Sequence, residues 1–285
     1  MPFFRSGRRR SFRPFWEYRS KGVIWRLQPA AGGMLVGEER DLTAKTVAFF
    51  CIDLSNGRAL WKEKDFGEQW WTGIEAVYRD TLILHGYATP DLPEPKGITA
   101  VDITTGRLLW RRDDLRCIAT LNGCIRASRP AASVVEIDRR TGALVREMEG
   151  SESGTDPSAE RSDEQLDDVV YPRDLEDDPA AFPERAELLR RVCSREKLAG
   201  PVSYIELGSA VVFGYSERVE STEGSPPTFR TMVALMARGE SEPRFSATID
   251  ESKSFPVYGT FLVREGVLLF VRERSTLTAM AVRDM

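Results

Sequence analysis

One histidine, His85, is the only imidazole in this chain of 285 residues. A histidine cluster, catalytic or metal-binding, is thereby excluded. The four cysteines, Cys51, Cys117, Cys124 and Cys193, form no C-x-x-C pair, and His85 cannot complete a zinc set with them. No metal is expected, and scattered thiols point to a reducing cytoplasm. No apolar run approaches the length of a membrane span. The first residues lack the apolar segment of a signal peptide, and no lipobox-like cysteine stands near the start. A cytoplasmic location follows as an expectation. Walker, G-x-G-x-x-G, H-E-x-x-H and EF-hand spacings are absent, as is the G-x-S-x-G elbow of a serine hydrolase. "DLSNG" and "DRRTG" hold too few carboxylates for a calcium loop.

Charge of one sign is also lacking. The net charge is −4, with 29% charged and 41% hydrophobic residues. That balance supports a core and argues against a general, or specific, nucleic-acid binder. The charge is unevenly placed. Residues 1–26 hold eight Arg or Lys against Glu17, whereas residues 151–178 hold eleven Asp or Glu against two Arg. Residues 1–10 read as a basic flexible tail. Arg interleaved with Phe and Trp, in "RSGRRRSFRPFWEYRSK", also suits weak contact with phosphates or with an anionic membrane surface.

What the chain does have is a repeated turn. "CIDLSNGRALW" (51–61), "AVDITTGRLLW" (100–110) and "EIDRRTGALVR" (136–146) place Asp53, Asp102 and Asp138 in register, with gaps of 49 and 36 residues. Such spacing suits one four-stranded propeller blade per copy. Strand-like pieces fill three such blades over 23–64, 72–112 and 117–148, and a fourth over 202–249. Residues 256–282 form a fifth that stops one strand short. The fold expected is an all-β propeller of about five four-stranded blades, a single domain over 11–285. Its last blade is completed by "SFRPFWEY" (11–18) or, alternatively, by "GVIWRL" (22–27), which hides both sheet edges. Residues 150–200 read as an insertion: an acidic loop, then a helix starting at Asp178 or Pro183 and stopping at Gly200. A second count of six blades treats "DVVYP" (168–172) as a strand of an extra blade.

The motif reads A-x-D-x-x-T-G-x-x-x-W. Gly106 supplies the positive φ of a tight hairpin. Asp102 and Thr105 hold turn amides. Trp110, on the outgoing strand, fills the wedge to a neighbouring blade, and Ala100 leaves it room. The first copy keeps Asp53, Gly57 and Trp61. The third keeps Asp138, Thr141 and Gly142, with Glu136 in the small-residue slot and Arg146 in the tryptophan slot. Each part serves turn geometry and packing rather than a ligand.

This pattern resembles the tryptophan-docking repeat of the PQQ-like, or quinoprotein-type, β-propellers. The chain is also similar to a bacterial family of predicted propellers carried as a domain of unknown function, on the strength of "IWRL" (24–27), "GEERD" (37–41) and "PVSYIEL" (201–207). The resemblance implies the fold. It does not bring quinone chemistry with it: quinoprotein dehydrogenases are about twice as long, are exported, and use adjacent cysteines and calcium ligands that have no counterpart here. No PQQ is expected. The outer-membrane assembly lipoproteins that share the repeat need a lipid-modified cysteine, which is also missing.

Four residues are candidates for a polar ligand site in the central channel: Glu38, Arg40, His85 and Asp91. In "GEERD", strand alternation sends Glu38 and Arg40 to one face and Glu39 and Asp41 to the other. The competing structural reading has this strand leaving the core for solvent, with Arg40 bridging to a carboxylate of a neighbouring blade. His85 at a strand end lacks a visible partner for general-base work. The function expected is a non-enzymatic scaffold that offers loops to a protein partner. The alternative is a small-molecule-binding or hydrolytic propeller that uses the channel.

Overall fold

The computed structural model describes residues 13–67, 69–89, 92–121, 123–129, 133–148, 166–177, 182–219, 227–252 and 261–282. The basic arm 1–10, Asp91 and most of the acidic loop lie outside them. The chain falls into two compact units, Ser20–Asp167 and Met1–Arg19 with Asp168–Met285.

The first strand, β1 (Trp16–Arg19), has its partner at the far end of the sequence. The unit 20–167 then lays down three antiparallel sheets in simple meander order. The first contains β2 (Val23–Ala30), β3 (Met34–Asp41), β4 (Thr46–Asp53) and β5 (Ala59–Lys64). The second contains β6 (Thr72–Val77), β7 (Thr81–Thr89), β8 (Leu92–Asp102) and β9 (Arg107–Arg112). The third contains β10 (Arg116–Thr120), β11 (Cys124–Ser128), β12 (Val134–Asp138) and β13 (Leu144–Met148). Each is a stretch of β-branched and aliphatic residues closed by an Asp–Gly hairpin. The middle sheet is covered on both sides at β7, so Leu82, Ile83 and Leu84 are all buried without alternation. Leu82 and Leu84 of β7 join Val36, Phe49 and Ile74 in one core. Ile83, between them, points the other way into a core with Ile125, Val135 and Ile137. Burying each such side chain contributes about 1.5–3 kcal/mol.

The second unit begins with two short strands, β14 (Val169–Val170) and β15 (Arg173–Asp174), and a 3-10 turn over Leu175–Asp177. Helix α1 (Phe182–Val192) follows. The strands β16 (Leu198–Leu207), β17 (Ala210–Val219), β18 (Thr228–Ala237) and β19 (Phe245–Ser252) form a sheet edged by β15. The strands β20 (Phe261–Arg264), β21 (Val267–Arg272) and β22 (Thr276–Ala281) form the last sheet, which β14 edges on one side. On its other side β1 pairs with β22, Trp16 opposite Ala279. The N-terminal piece therefore supplies the strand missing from the last sheet, and "GVIWRL" belongs to the first sheet.

Two expectations are corrected. "DVVYP" adds an edge strand to the sheet of β20 rather than starting another blade, since Val169 pairs with Arg264 and Asp168 Oδ2 takes a 2.7 Å hydrogen bond from Arg264 Nε. The helix ends at Val192, not at Gly200. Lys197 and Leu198 turn back on the Ser194 carbonyl, and Gly200, with φ of 74°, sits in a β-bulge of β16. Leu188 and Leu189 of α1 bury against Tyr204, Val211 and Phe213 on one face of its sheet. Among the described residues the fold is all-β apart from this helix and the 3-10 turn, and its meander sheets are consistent with a β-propeller.

Candidate functional site

The repeated hairpins share one local chemistry. Asp102 Oδ1 accepts from Thr105 N at 2.8 Å and Thr105 Oγ1 at 2.7 Å. Asp138 Oδ1 does the same with Thr141, at 2.7 Å to both atoms. In the first copy Ser55 and Asn56 take over, donating to Oδ1 and Oδ2 of Asp53. The Gly57, Gly106 and Gly142 amides each close the turn on the aspartate carbonyl at 2.8 Å. The Thr141 hydrogen bonds hold the Asp138 carboxyl below its ordinary value of 3.8. A depressed carboxyl stabilises the fold fully above its unfolded pKa and loses that contribution as pH falls through the folded one. Asp138→Asn is therefore expected to cost no more than about 1 kcal/mol at neutral pH, because solvent screens the turn. The difference from the parent protein should close below about pH 4 in acid denaturation curves.

The tryptophans do more than fill a wedge beside their own small residue. Trp61 and Trp110 do pair across their ladders with Cys51 and Ala100. Each indole then docks on the hairpin of the following sheet. Trp61 Nε1 donates to the Ile103 carbonyl at 2.6 Å, and Trp110 Nε1 to the Arg139 carbonyl at 3.0 Å. In both cases the acceptor is the residue after the motif aspartate. The ring lies on the motif glycine: a Cβ at Gly106 or at Gly142 would come within 2.7 Å of the docked ring. Trp16 opposite Ala279 repeats the tryptophan–small pairing in the last sheet. In the third copy the slot holds an ion pair instead, Arg146 Nε on Glu136 Oε2 at 2.7 Å, joined by Arg126. The two departures from the motif thus compensate each other.

Glu38, Glu39 and Arg40 stay buried rather than leaving for solvent. Arg40 finds its carboxylate on its own strand, with Nε 2.6 Å from Glu38 Oε1. Its remaining donors cross to the second sheet, reaching the Trp70 carbonyl at 2.9 Å and the Thr72 carbonyl at 2.8 Å. Trp25 and Trp70 flank the guanidinium at 5.5 and 4.7 Å. On the opposite face Glu39 accepts from the Ser20 hydroxyl and the Lys21 amide.

The structure brings His85 to the same place. His85 lies directly across the ladder from Gly73, beside Tyr87, whose ring it meets edge-on at 4.8 Å. Its Nδ1 stands 2.6 Å from Glu75 Oε2, close in distance though not aligned along the ring N–H. Sequence reasoning missed Glu75, Tyr87 and Gly73. Glu75 sits at a β-bulge between Ile74 and Ala76, and equivalent bulges in β2 and β10 hold Trp25 and Ile118. A bulge re-aims the side chain it carries, and strand alternation cannot show it. Glu38, Arg40 and His85 thus share one cluster, to which Glu75 and Tyr87 are added. Asp91 lies outside the described residues.

Among the described residues no group of three or more His, Cys, Asp or Glu is arranged to hold a metal ion. All four cysteines are free, and burial pushes the Cys51 thiol up to about 12 and that of Cys193 up to about 11. No two of them are adjacent, so the disulfide associated with quinone sites has no counterpart. No helix among the described residues is long and apolar enough to cross a membrane.

Residues 30–110, which span the first two hairpins and "GEERD", match a family described as a domain of unknown function, DUF4905. No curated protein matches the chain in sequence. Among solved structures it is similar to BamB from Moraxella catarrhalis, with 11% identity over 94% of this chain and 86% of that one and a TM-score of 0.33. It is also similar to a europium-containing methanol dehydrogenase, with 12% identity over 92% and 52% of the two chains and a TM-score of 0.30. A third is the quinohemoprotein alcohol dehydrogenase ADHIIG from Pseudomonas putida HK5, with 10% identity over 95% and 44% and a TM-score of 0.31. The chain spans about half the length of these two dehydrogenases. All three are PQQ-like β-propeller proteins.

Proposed function

We propose that this chain is a five-bladed β-propeller, closed by the β1–β22 pairing, that acts as a non-enzymatic protein-interaction scaffold in the cytoplasm. One observation carries the reading. The strands that end the three sheets of residues 20–167, β5, β9 and β13, present exposed apolar side chains where a solvent-facing edge is ordinarily charged. Leu108, Leu144 and Val145 are about half exposed, and Leu60 nearly so. An extended segment of a partner protein can add to such an edge through its main chain and seat alternate side chains on these residues. Four free thiols support a reducing compartment. The scaffold requires no quinone. Affinity capture with the full chain as bait should return a stoichiometric partner, and Leu108→Glu with Leu144→Glu should abolish its capture. Recovery of the same partner by the double variant would remove the reading.

A second reading, a small-molecule-binding or hydrolytic propeller, is favoured by the convergence of Glu38, Arg40 and His85 with Glu75.

A further inference from the structure

Three polar atoms surround the bare face of Gly73. A Cβ built there would lie 3.4 Å from Glu38 Oε2, 3.7 Å from Tyr87 Oη and 3.9 Å from His85 Nε2. These are ordinary contact distances, so a methyl group borne by residue 73 would fit, and the three atoms converge over this bare face. All three atoms are close to unspent. Glu38 is 2% exposed; its Oε1 holds Arg40, whereas its Oε2 has only a long 3.4 Å contact from the Ile74 amide. The Tyr87 hydroxyl and His85 Nε2 make no hydrogen bond to any described residue. A buried carboxylate oxygen left this short of donors calls for an explanation.

The three atoms have one polarity. A ring proton on Nδ1, the nitrogen 2.6 Å from Glu75 Oε2, leaves Nε2 as an acceptor. Glu38 Oε2 accepts, and the tyrosine oxygen can accept as well. Two carboxylates, Glu38 and Glu75, flank the cluster, the first paired with Arg40. A primary ammonium offers three N–H donors and a positive charge in a volume close to that of a methyl group. A quaternary ammonium has no donor, a guanidinium is too broad, and a carboxylate meets only acceptors.

We infer that the Gly73 cradle binds a primary ammonium group, carried by a small amine or by a lysine side chain. The inference rests on the small-molecule reading for the first source and on the scaffold reading for the second.

With one histidine in the chain, nitrogen-15 labelling of histidine gives a single pair of imidazole signals by NMR. In the full-length protein, n-butylammonium chloride should shift the Nε2 signal saturably, and tetramethylammonium chloride at equal ionic strength should not. Gly73→Ala grows a methyl group from the floor of the cradle into the space beneath the ammonium group. The position needs no left-handed φ and the methyl meets no clash, so the amide spectrum should stay intact while affinity falls at least about tenfold. Tyr87→Phe, which keeps the ring, should weaken binding by up to about tenfold and tests the site even if the first variant misfolds. A lysine-containing peptide and its acetyl-lysine form separate the two sources: selective binding of the unmodified peptide assigns a partner's lysine, and response to the free amine alone assigns a small molecule. Equal response to both cations, or undiminished binding in both variants, would overturn the inference. Neutral n-butanol or butyrate shifting the same signal in place of the amine would also overturn it, yet leave a small-molecule site standing. Silence from n-butylammonium, the lysine peptide, n-butanol and butyrate alike would remove both.

Discussion

Gly106→Ala is expected to destabilise the protein by about 3 kcal/mol. Two terms add there. The residue has φ of 65°, a left-handed conformation that costs an L-residue about 1–2 kcal/mol. The new Cβ would also come within 2.7 Å of the Trp61 indole, which its own hydrogen bond to the Ile103 carbonyl fixes in place. Relieving that overlap costs about 1–3 kcal/mol more. Gly33 separates the two terms, because it has φ of 73° and nothing within 4 Å of a built Cβ. Gly33→Ala should therefore lose only about 1–2 kcal/mol. Urea titrations followed by tryptophan fluorescence give both numbers from midpoint shifts at unchanged slope. Equal losses at the two positions would show that the indole does not rest on the hairpin.

That docking explains why so much of the fold could be read directly. A turn that must seat a neighbour's indole has few solutions, so Asp102, Thr105 and Gly106 reappear as Asp138, Thr141 and Gly142. The strands between the turns announce themselves because both faces of the middle sheet are covered. The strand β1 was legible as the missing piece of the last sheet because residues 256–282 stop one strand short, and its Trp16 indeed stands opposite Ala279. Less legible was the direction of docking. The sequence pairs each tryptophan with the small residue ten positions earlier, and that pairing exists, but the hydrogen bond goes to the next sheet, which no local pattern reveals. The helix end was misplaced because Gly200 has the left-handed φ of a helix stop and uses it for a bulge.

The site was legible in its charged residues and obscure in its geometry. Four charges in a row, at Glu38, Glu39, Arg40 and Asp41, stand out after an apolar stretch, and the lone histidine draws notice by being alone. Nothing in the sequence says that Glu75 meets His85. Both lie on adjacent strands of one hairpin, but the register that sets His85 opposite Gly73, two residues before Glu75 and so on the same face, is shifted by the bulge at Glu75 and cannot be read from the sequence. Gly73, which leaves room for a ligand, reads in sequence as one more weak strand residue.

Arg40→Met should cost about 4 kcal/mol, because it leaves the Glu38 charge 2% exposed and without its partner. It would also strip donors from the Trp70 and Thr72 carbonyls, through which the first sheet is tied to the second. Glu38→Leu alone should cost about 3 kcal/mol for the mirror reason, an unpaired guanidinium. The double variant, Glu38→Leu with Arg40→Met, removes both charges and keeps most of the volume, so it should be more stable than either single variant, with a coupling of about 2–3 kcal/mol in the cycle. Simple additivity would mean that the pair is not coupled in the folded protein. The double variant also separates stability from binding. If Glu38 serves only to neutralise Arg40, a refolded double variant should respond to n-butylammonium as the parent does. If Glu38 Oε2 is a ligand for the ammonium, the double variant folds and the response is lost. The second outcome is the one expected, since the oxygen that faces Gly73 is not the one that holds Arg40.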